Sequence, residues 1–229
     1  MAHVLLVDGD QNHASLLTNL LQSQGFEVTH AATHARALER LGMRPDIVVL
    51  DPDVPDGGGF TALRDLRSAP EGAAVPLLVL TRRGDEIDRV VAFELGADDY
   101  VVRPYSPREL PLRLRAILRR SHPRSAPQAG AATKLGRIRL SAAERRMWLD
   151  GVAYPMTVAE LRLLEVLAST PGRVWSRQAL LAEAWPEGDV QLRTIDVHVR
   201  RLREKLGPHS DLIETVRGVG YRVGGPYTV

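Results

Sequence analysis

Between residues 4 and 102 the chain repeats one figure: a short apolar run, then apolar residues at helical spacing. The runs cover residues 4–7, 26–30 (the faintest), 47–50, 77–80 and 100–102. Between them, segments such as 15–21 and 35–41 carry leucine and alanine at intervals of three and four. Strands that alternate with helices pair in parallel, because each helix carries the chain back to the starting edge. The pattern therefore predicts an α/β unit, a doubly wound (βα)5 sheet covered on both faces. In such sheets ligands bind beyond the carboxyl ends of the strands. Reading off those ends gives Asp8, Asp51, Thr81 and Arg103. Two carboxylates, a hydroxyl and a cation are thus expected at one edge, with Asp51 at the centre.

The figure stops in residues 121–133, SHPRSAPQAGAAT, which lack apolar periodicity and collect Pro, Ser, Ala and Gly. That composition reads as a flexible linker between two domains, 1–120 and 134–229. The charge divides there too. Residues 1–120 hold 14 basic and 17 acidic side chains, whereas 134–229 hold 15 and 11. With no cysteine, disulfides and thiolate chemistry are excluded. No apolar run approaches the roughly 18 to 20 residues that span a bilayer, and no secretory leader is readable. A cytoplasmic protein without membrane contact is expected. The seven histidines are scattered, with none at zinc spacing, and no Ser/His/Asp set is readable, so stand-alone catalysis is not expected. The loop PDGGGF lacks the Lys-Ser/Thr pair of a phosphate loop.

After the linker, short alternating runs and a turn at Asp150-Gly151 predict a small antiparallel sheet. Thr157 and Glu160 form a capping box ahead of a helical stretch. Two further helices follow, the last over about 190–206 and stopped by Gly207-Pro208, and then a glycine-rich hairpin, LIETVRGVGYRV. Three helices with a β-hairpin make an α+β winged helix-turn-helix. In the last helix Ile195, Val199, Leu202 and Leu206 form one inward stripe. Thr194, Val197 and Arg201 are expected to share an outward face, where the arginine can read guanine and the valine a thymine methyl. Arg193, Arg200 and Arg203 suit phosphates, and His198 suits either a ligand or a filler role. Arg217 at the hairpin tip suits a minor groove, with Thr215, Tyr221 and Arg222 beside it. Double-stranded DNA is the expected partner.

The segments VLLVDGD, DIVVLDPDVPDGGGF, LLVLTRRGDEIDRVVAFELGADDYVVRPYSPREL, MTVAELRLLEVLAS and RTIDVHVRRLREKLG carry a resemblance over nearly the full length. The chain resembles OmpR/PhoB-family two-component response regulators. The resemblance implies a receiver domain in which Asp51 accepts a phosphoryl group from a histidine kinase. It implies Mg²⁺ near Asp8 and Asp51, Thr81 as the switch hydroxyl and Tyr100 as the switch aromatic. It also implies a homodimer through charge pairs among Arg89, Asp99, Glu109 and Arg113.

Three positions depart from that pattern. Gly9 stands where a second acid is expected, Arg103 where the family has lysine, and Arg82 where it has a small residue. Asp10 comes one residue late, so its side chain is expected to point elsewhere. An arginine–carboxylate pair is strong and bidentate, so Arg103 or Arg82 is expected to satisfy Asp51 without metal. Phosphorylation is then weakened or lost, no cofactor is required, and the receiver acts as a dimerisation scaffold. Two alternatives stand beside this reading: conventional activation at Asp51 with Mg²⁺, or a receiver pocket that senses a small ligand or a protein partner.

Overall fold

The computed structural model describes residues 1–57, 59–121, 133–135, 137–186 and 191–224. It divides into two compact units, Met1–Leu118 and Arg119–Val229. Most of the expected linker, residues 122–132, lies outside the described residues.

The first unit runs β1 (His3–Val7), α1 (Gln11–Ser23), β2 (Glu27–Ala31), α2 (His34–Leu41), β3 (Ile47–Leu50) and α3 (Thr61–Ser68). It continues with β4 (Leu77–Thr81), α4 (Glu86–Leu95), β5 (Asp99–Val102) and α5 (Glu109–Ser121). The five strands are parallel in the order β2-β1-β3-β4-β5. Every residue of β3 and β4 is buried, which is why they read as unbroken apolar runs. Strand order reverses between β1 and β3, and such a reversal opens a crevice at the carboxyl edge. Register places Val7 opposite Leu50, and Leu50 opposite Val79. Asp8 and Asp51 therefore leave adjacent strands at the same level.

One buried ion pair ties the far side of this unit. Arg67 on α3 donates to the carbonyls of Gly72, Val75 and Gly96 and pairs with Asp98 at 3.0 Å, both side chains less than 10% exposed. Asp98 also accepts from the Leu77 N–H, so the pair fixes the entry to β4 and β5.

The second unit opens with an antiparallel sheet of β6 (Thr133–Leu135), β7 (Ile138–Ser141), β8 (Arg146–Leu149) and β9 (Val152–Pro155). Asp150 and Gly151 close the β8–β9 hairpin at φ of 52° and 82°, the region that two-residue turns demand. Helices α6 (Val158–Ser169), α7 (Arg177–Ala184) and α8 (Leu192–Leu206) follow, then a 3-10 segment, Gly207–Leu212, and the hairpin β11 (Ile213–Val216) and β12 (Gly220–Val223). A two-residue strand, β10 (Trp175–Ser176), pairs with β12 and was not expected. It is too short to leave a periodic trace. The core gathers Leu163, Leu164, Leu167, Leu180, Ile195, Val199, Leu202 and Leu206.

Arg67→Ala leaves Asp98 buried without this partner, a change that typically costs about 3 to 5 kcal/mol. Chemical denaturation of the full chain followed by far-UV circular dichroism checks it; a midpoint equal to wild type would show that Arg67 is not a staple.

Candidate functional site: the Asp51 pocket and the arginine face

The carboxyl edge of the first sheet brings Asp8, Asp51 and Thr81 together, each less than 10% exposed. Two carboxylates withdrawn from water need a cation, since an uncompensated buried charge is costly. Arg103, just after β5, supplies it. Its Nη2 donates to Asp8 Oδ2 at 3.0 Å and to Asp51 Oδ2 at 2.9 Å, so one nitrogen bridges both acids. The other oxygens accept backbone N–H groups: Asp10 on Asp8 Oδ1 at 2.9 Å, Asp53 on Asp51 Oδ1 at 3.0 Å. Asp8 also meets His13 Nδ1, whose Nε2 lies 3.0 Å from the Tyr105 hydroxyl. Burial pushes the Asp51 carboxyl above its ordinary range, against the opposing pull of the Asp53 N–H and Arg103.

Gly9 answers to a neighbour rather than to a ligand. A Cβ at this position would lie 2.7 Å from Pro55 Cδ and 3.3 Å from Cγ. No side chain enters there unless the proline ring moves. Asp10 is turned away: it caps α1 by accepting from the Asn12 and His13 N–H groups and pairs with Arg82 at 3.1 Å. Arg82 therefore engages Asp10 instead of Asp51, and of the two arginines expected to satisfy Asp51 only Arg103 does. Arg83, which the sequence did not single out, pairs with Asp53 at 2.5 Å.

The fit to Mg²⁺ fails on these residues. Asp8 and Asp51 are both spanned by a guanidinium, position 9 has no side chain, and the described residues hold no group of three or more acids, histidines or cysteines placed to bind a metal. A divalent ion would have to displace Arg103.

The neighbouring switch positions are occupied. Thr81 Oγ1 accepts from the Arg83 N–H at 3.1 Å. Tyr100 is buried and donates its hydroxyl to the Arg83 carbonyl at 2.8 Å, while the Arg89 guanidinium lies 5.6 Å from its ring centre. Burial, with the Asp88 charge nearby, pushes the Tyr100 phenol up to about 12. Arg113 bonds Glu109 at 2.7 Å and Asp99 at 3.3 Å, so three of the four expected dimer-face charges are paired within this chain.

In the second unit α8 is buried more widely than its leucine stripe required. Thr194 is 4% exposed, Val197 7% and His198 0%. The expectation that Thr194 and Val197 lie outward is corrected: α8 packs against both α6 and α7, and two contacts bury two sides. His198 stacks on Trp185 with centroids 5.2 Å apart, which supports its filler role. Burial lowers the His198 pKa to about 4, so its ring is neutral at pH 7. Arg193 and Arg200 are exposed on α8, and Arg200 pairs with Glu204 at 2.8 Å. Arg217 and Thr215 are exposed on the hairpin.

Four expected DNA ligands, Arg201, Arg203, Tyr221 and Arg222, have partners within the module. Arg203 donates to the Ile213 carbonyl and, at 2.8 Å, to Thr215 Oγ1, fastening α8 to β11. Tyr221 is buried and donates to Asp196 at 2.6 Å, where Arg177 also bonds at 2.7 Å. Arg222 pairs with Glu214 at 2.7 Å. Glu160 is fully buried: its Oε1 accepts from Arg201 Nε at 3.0 Å, its Oε2 from Lys205 and from the Thr157 N–H. Burial raises its pKa, but Lys205 and Arg201 prevail and hold it down at about 2.

A switch-type α/β unit joined to a winged helix with an arginine-bearing third helix defines a DNA-binding transcriptional response regulator. Residues 4–115 match the response regulator receiver domain, and residues 151–223 match the C-terminal domain of transcriptional regulatory proteins. The chain is 38% identical to the transcriptional regulatory protein CreB of Escherichia coli, over 97% of each chain. It is 34% identical to the phosphate regulon transcriptional regulatory protein PhoB of Shigella flexneri, over 96% of each. Among solved structures, the response regulator DrrB, a Thermotoga maritima OmpR/PhoB homolog, is 28% identical with a TM-score of 0.51, covering 98% of this chain and 100% of that one. A RitR mutant with 24% identity and a TM-score of 0.76, covering 98% and 99%, shares the fold. The chain belongs to the OmpR/PhoB family of response regulators.

Both His198 and Glu160 have folded-state pKa values below their ordinary 6.5 and 4.5. Their contributions are complete above those ordinary values and are lost as pH falls through the folded ones. All three tryptophans, Trp148, Trp175 and Trp185, lie in the second unit. The melting temperature read by tryptophan fluorescence is therefore expected to fall between pH 7 and 5, and His198→Phe, which keeps a ring against Trp185, to flatten that fall. An equal fall in the variant would remove His198 from the account.

Proposed function

We propose that this regulator binds DNA as a receiver-mediated homodimer and that Mg²⁺-dependent phosphorylation of Asp51 is weakened or lost. The observation that carries the reading is the Arg103 bridge across Asp8 and Asp51, beside a Gly9 covered by Pro55. Phosphoryl transfer needs charge neutralised on the moving oxygens, usually by a metal. Here the acids that would bind it are already neutralised by a fixed guanidinium. No cofactor is required on this reading, and the protein is a cytoplasmic regulator rather than an enzyme. A second reading, conventional activation by a histidine kinase, is favoured by one observation: Asp51, Thr81 and Tyr100 all stand at the pocket.

The dimer face we assign comprises α4, β5 and α5, with Arg89, Asp99, Glu109 and Arg113, and with Ile87 standing 77% exposed on α4. On the duplex, we assign Arg193 and Arg200 to phosphates, Arg217 to the minor groove and Arg201 to a base edge.

Incubating the full chain with acetyl phosphate and Mg²⁺, then weighing it by intact-protein mass spectrometry, is expected to give little phosphoryl adduct. Arg103→Lys is expected to give more. Stoichiometric modification of the wild type with a matching gain in DNA affinity would establish the conventional reading instead. Sedimentation tests the dimer: Arg113→Ala is expected to shift the full chain toward monomer, and an unchanged dimer would move the interface elsewhere.

A further inference from the structure

We propose that Glu160 is a positioning residue for DNA recognition: from the capped start of α6 it fixes the guanidinium of Arg201 so that α8 presents one arginine geometry to the duplex. The inference rests on the assignment of Arg201 to a base edge.

Glu160 is an expensive residue to keep where it is. Its side chain is 0% exposed, and a buried carboxylate is tolerated only with close cations and hydrogen bonds. The cap alone does not need the charge, since glutamine serves at this position of a capping box as glutamate does. The charge is what glutamine lacks, and here the charge is spent on α8. Arg201 Nε donates to Glu160 Oε1 at 3.0 Å, and Lys205, one turn further, bonds Oε2 while also donating to the Pro155 carbonyl at 2.8 Å.

The two ends of this contact differ in stiffness. Glu160 is held by its own backbone in the helix and by the Thr157 N–H on Oε2 at 3.0 Å, while the Glu160 N–H returns to Thr157 Oγ1 at 3.3 Å. Arg201 is a long chain whose freedom is costly to remove on binding. Bidentate reading of guanine uses the terminal nitrogens of the fork and depends on the plane in which they lie. An Nε bond to a rigid carboxylate sets that plane before the duplex arrives. Arg201 remains 18% exposed, unlike its neighbours Thr194 and His198, so its fork lies at the margin of the buried region and not inside it. A phosphate ligand, which needs only charge at the right place, gains little from this; a base reader does.

The test uses the full chain and two duplexes, one enriched by in vitro selection on the wild type from a randomised library and one of random sequence. The readout is the ratio of their affinities. Arg201→Gln and Glu160→Gln are each expected to lower that ratio about 10-fold, with random-sequence binding retained. The double variant is expected to lower it no further, because the two residues act as one unit. If Glu160→Gln keeps the wild-type ratio, or loses random-sequence binding in step with selected binding, Glu160 does not position the reader. A double variant whose loss is the product of the single losses also overturns the proposal. If Arg201→Gln alone leaves the ratio intact, the base-edge assignment fails and takes the proposal with it. Should Glu160→Gln melt below the assay temperature, Glu160→Asp, which keeps the charge but withdraws it from Arg201, is read by the same criteria.

Discussion

The receiver is organised around a problem of charge. Parallel strands deliver their carboxyl ends to one edge, and this sequence puts a buried aspartate on two adjacent strands. Neither can stay ionised there without a counter-charge. The family resemblance implies that a metal supplies it; in this chain a side chain covalently part of β5's exit does so. A resident guanidinium differs from an ion in one respect that matters. It is tethered to the chain, so a metal entering the pocket would compete with it for both acids, and the tyrosine and threonine beside it sit in contacts with Arg83 that need no phosphoryl group.

The effector applies the same rule in reverse. There the buried group is a single carboxylate, Glu160, and two cations of α8 come to it. In one unit an arginine settles two acids, and in the other an acid settles two bases. In both, the charge pairs join different elements of the same unit, so a cost of folding doubles as a tie between them.

Much of this was legible from the sequence, for reasons that can be named. β3 and β4 announced themselves because strands buried on both faces have no polar alternation to break the run. The Thr157/Glu160 box is local, three residues apart, and so leaves its mark in the sequence. What the sequence hid are contacts between distant segments. Glu160 and Arg201 are 41 residues apart, and Arg82 and Asp10 are 72 apart. Helical spacing identified the inward stripe of α8 but gave no way to know that α6 and α7 flank it on two sides. Spacing therefore places Thr194 and Val197 outward and leaves His198 open, whereas packing takes all three in. The partners of Arg203 and Tyr221 were hidden in the same way: nothing near an arginine or tyrosine in the sequence shows the carbonyl or carboxylate that engages it.

The closeness of Gly9 to Pro55 bears on how such a pocket can change over generations. Restoring an acid at position 9 alone drives a new atom into the proline ring, while replacing Pro55 alone leaves a gap above a residue with nothing to fill it. Each single step is opposed by packing, and even the pair together leaves Arg103 across the two acids. Two neighbouring residues thus constrain each other, so a substitution at either has to be answered at the other.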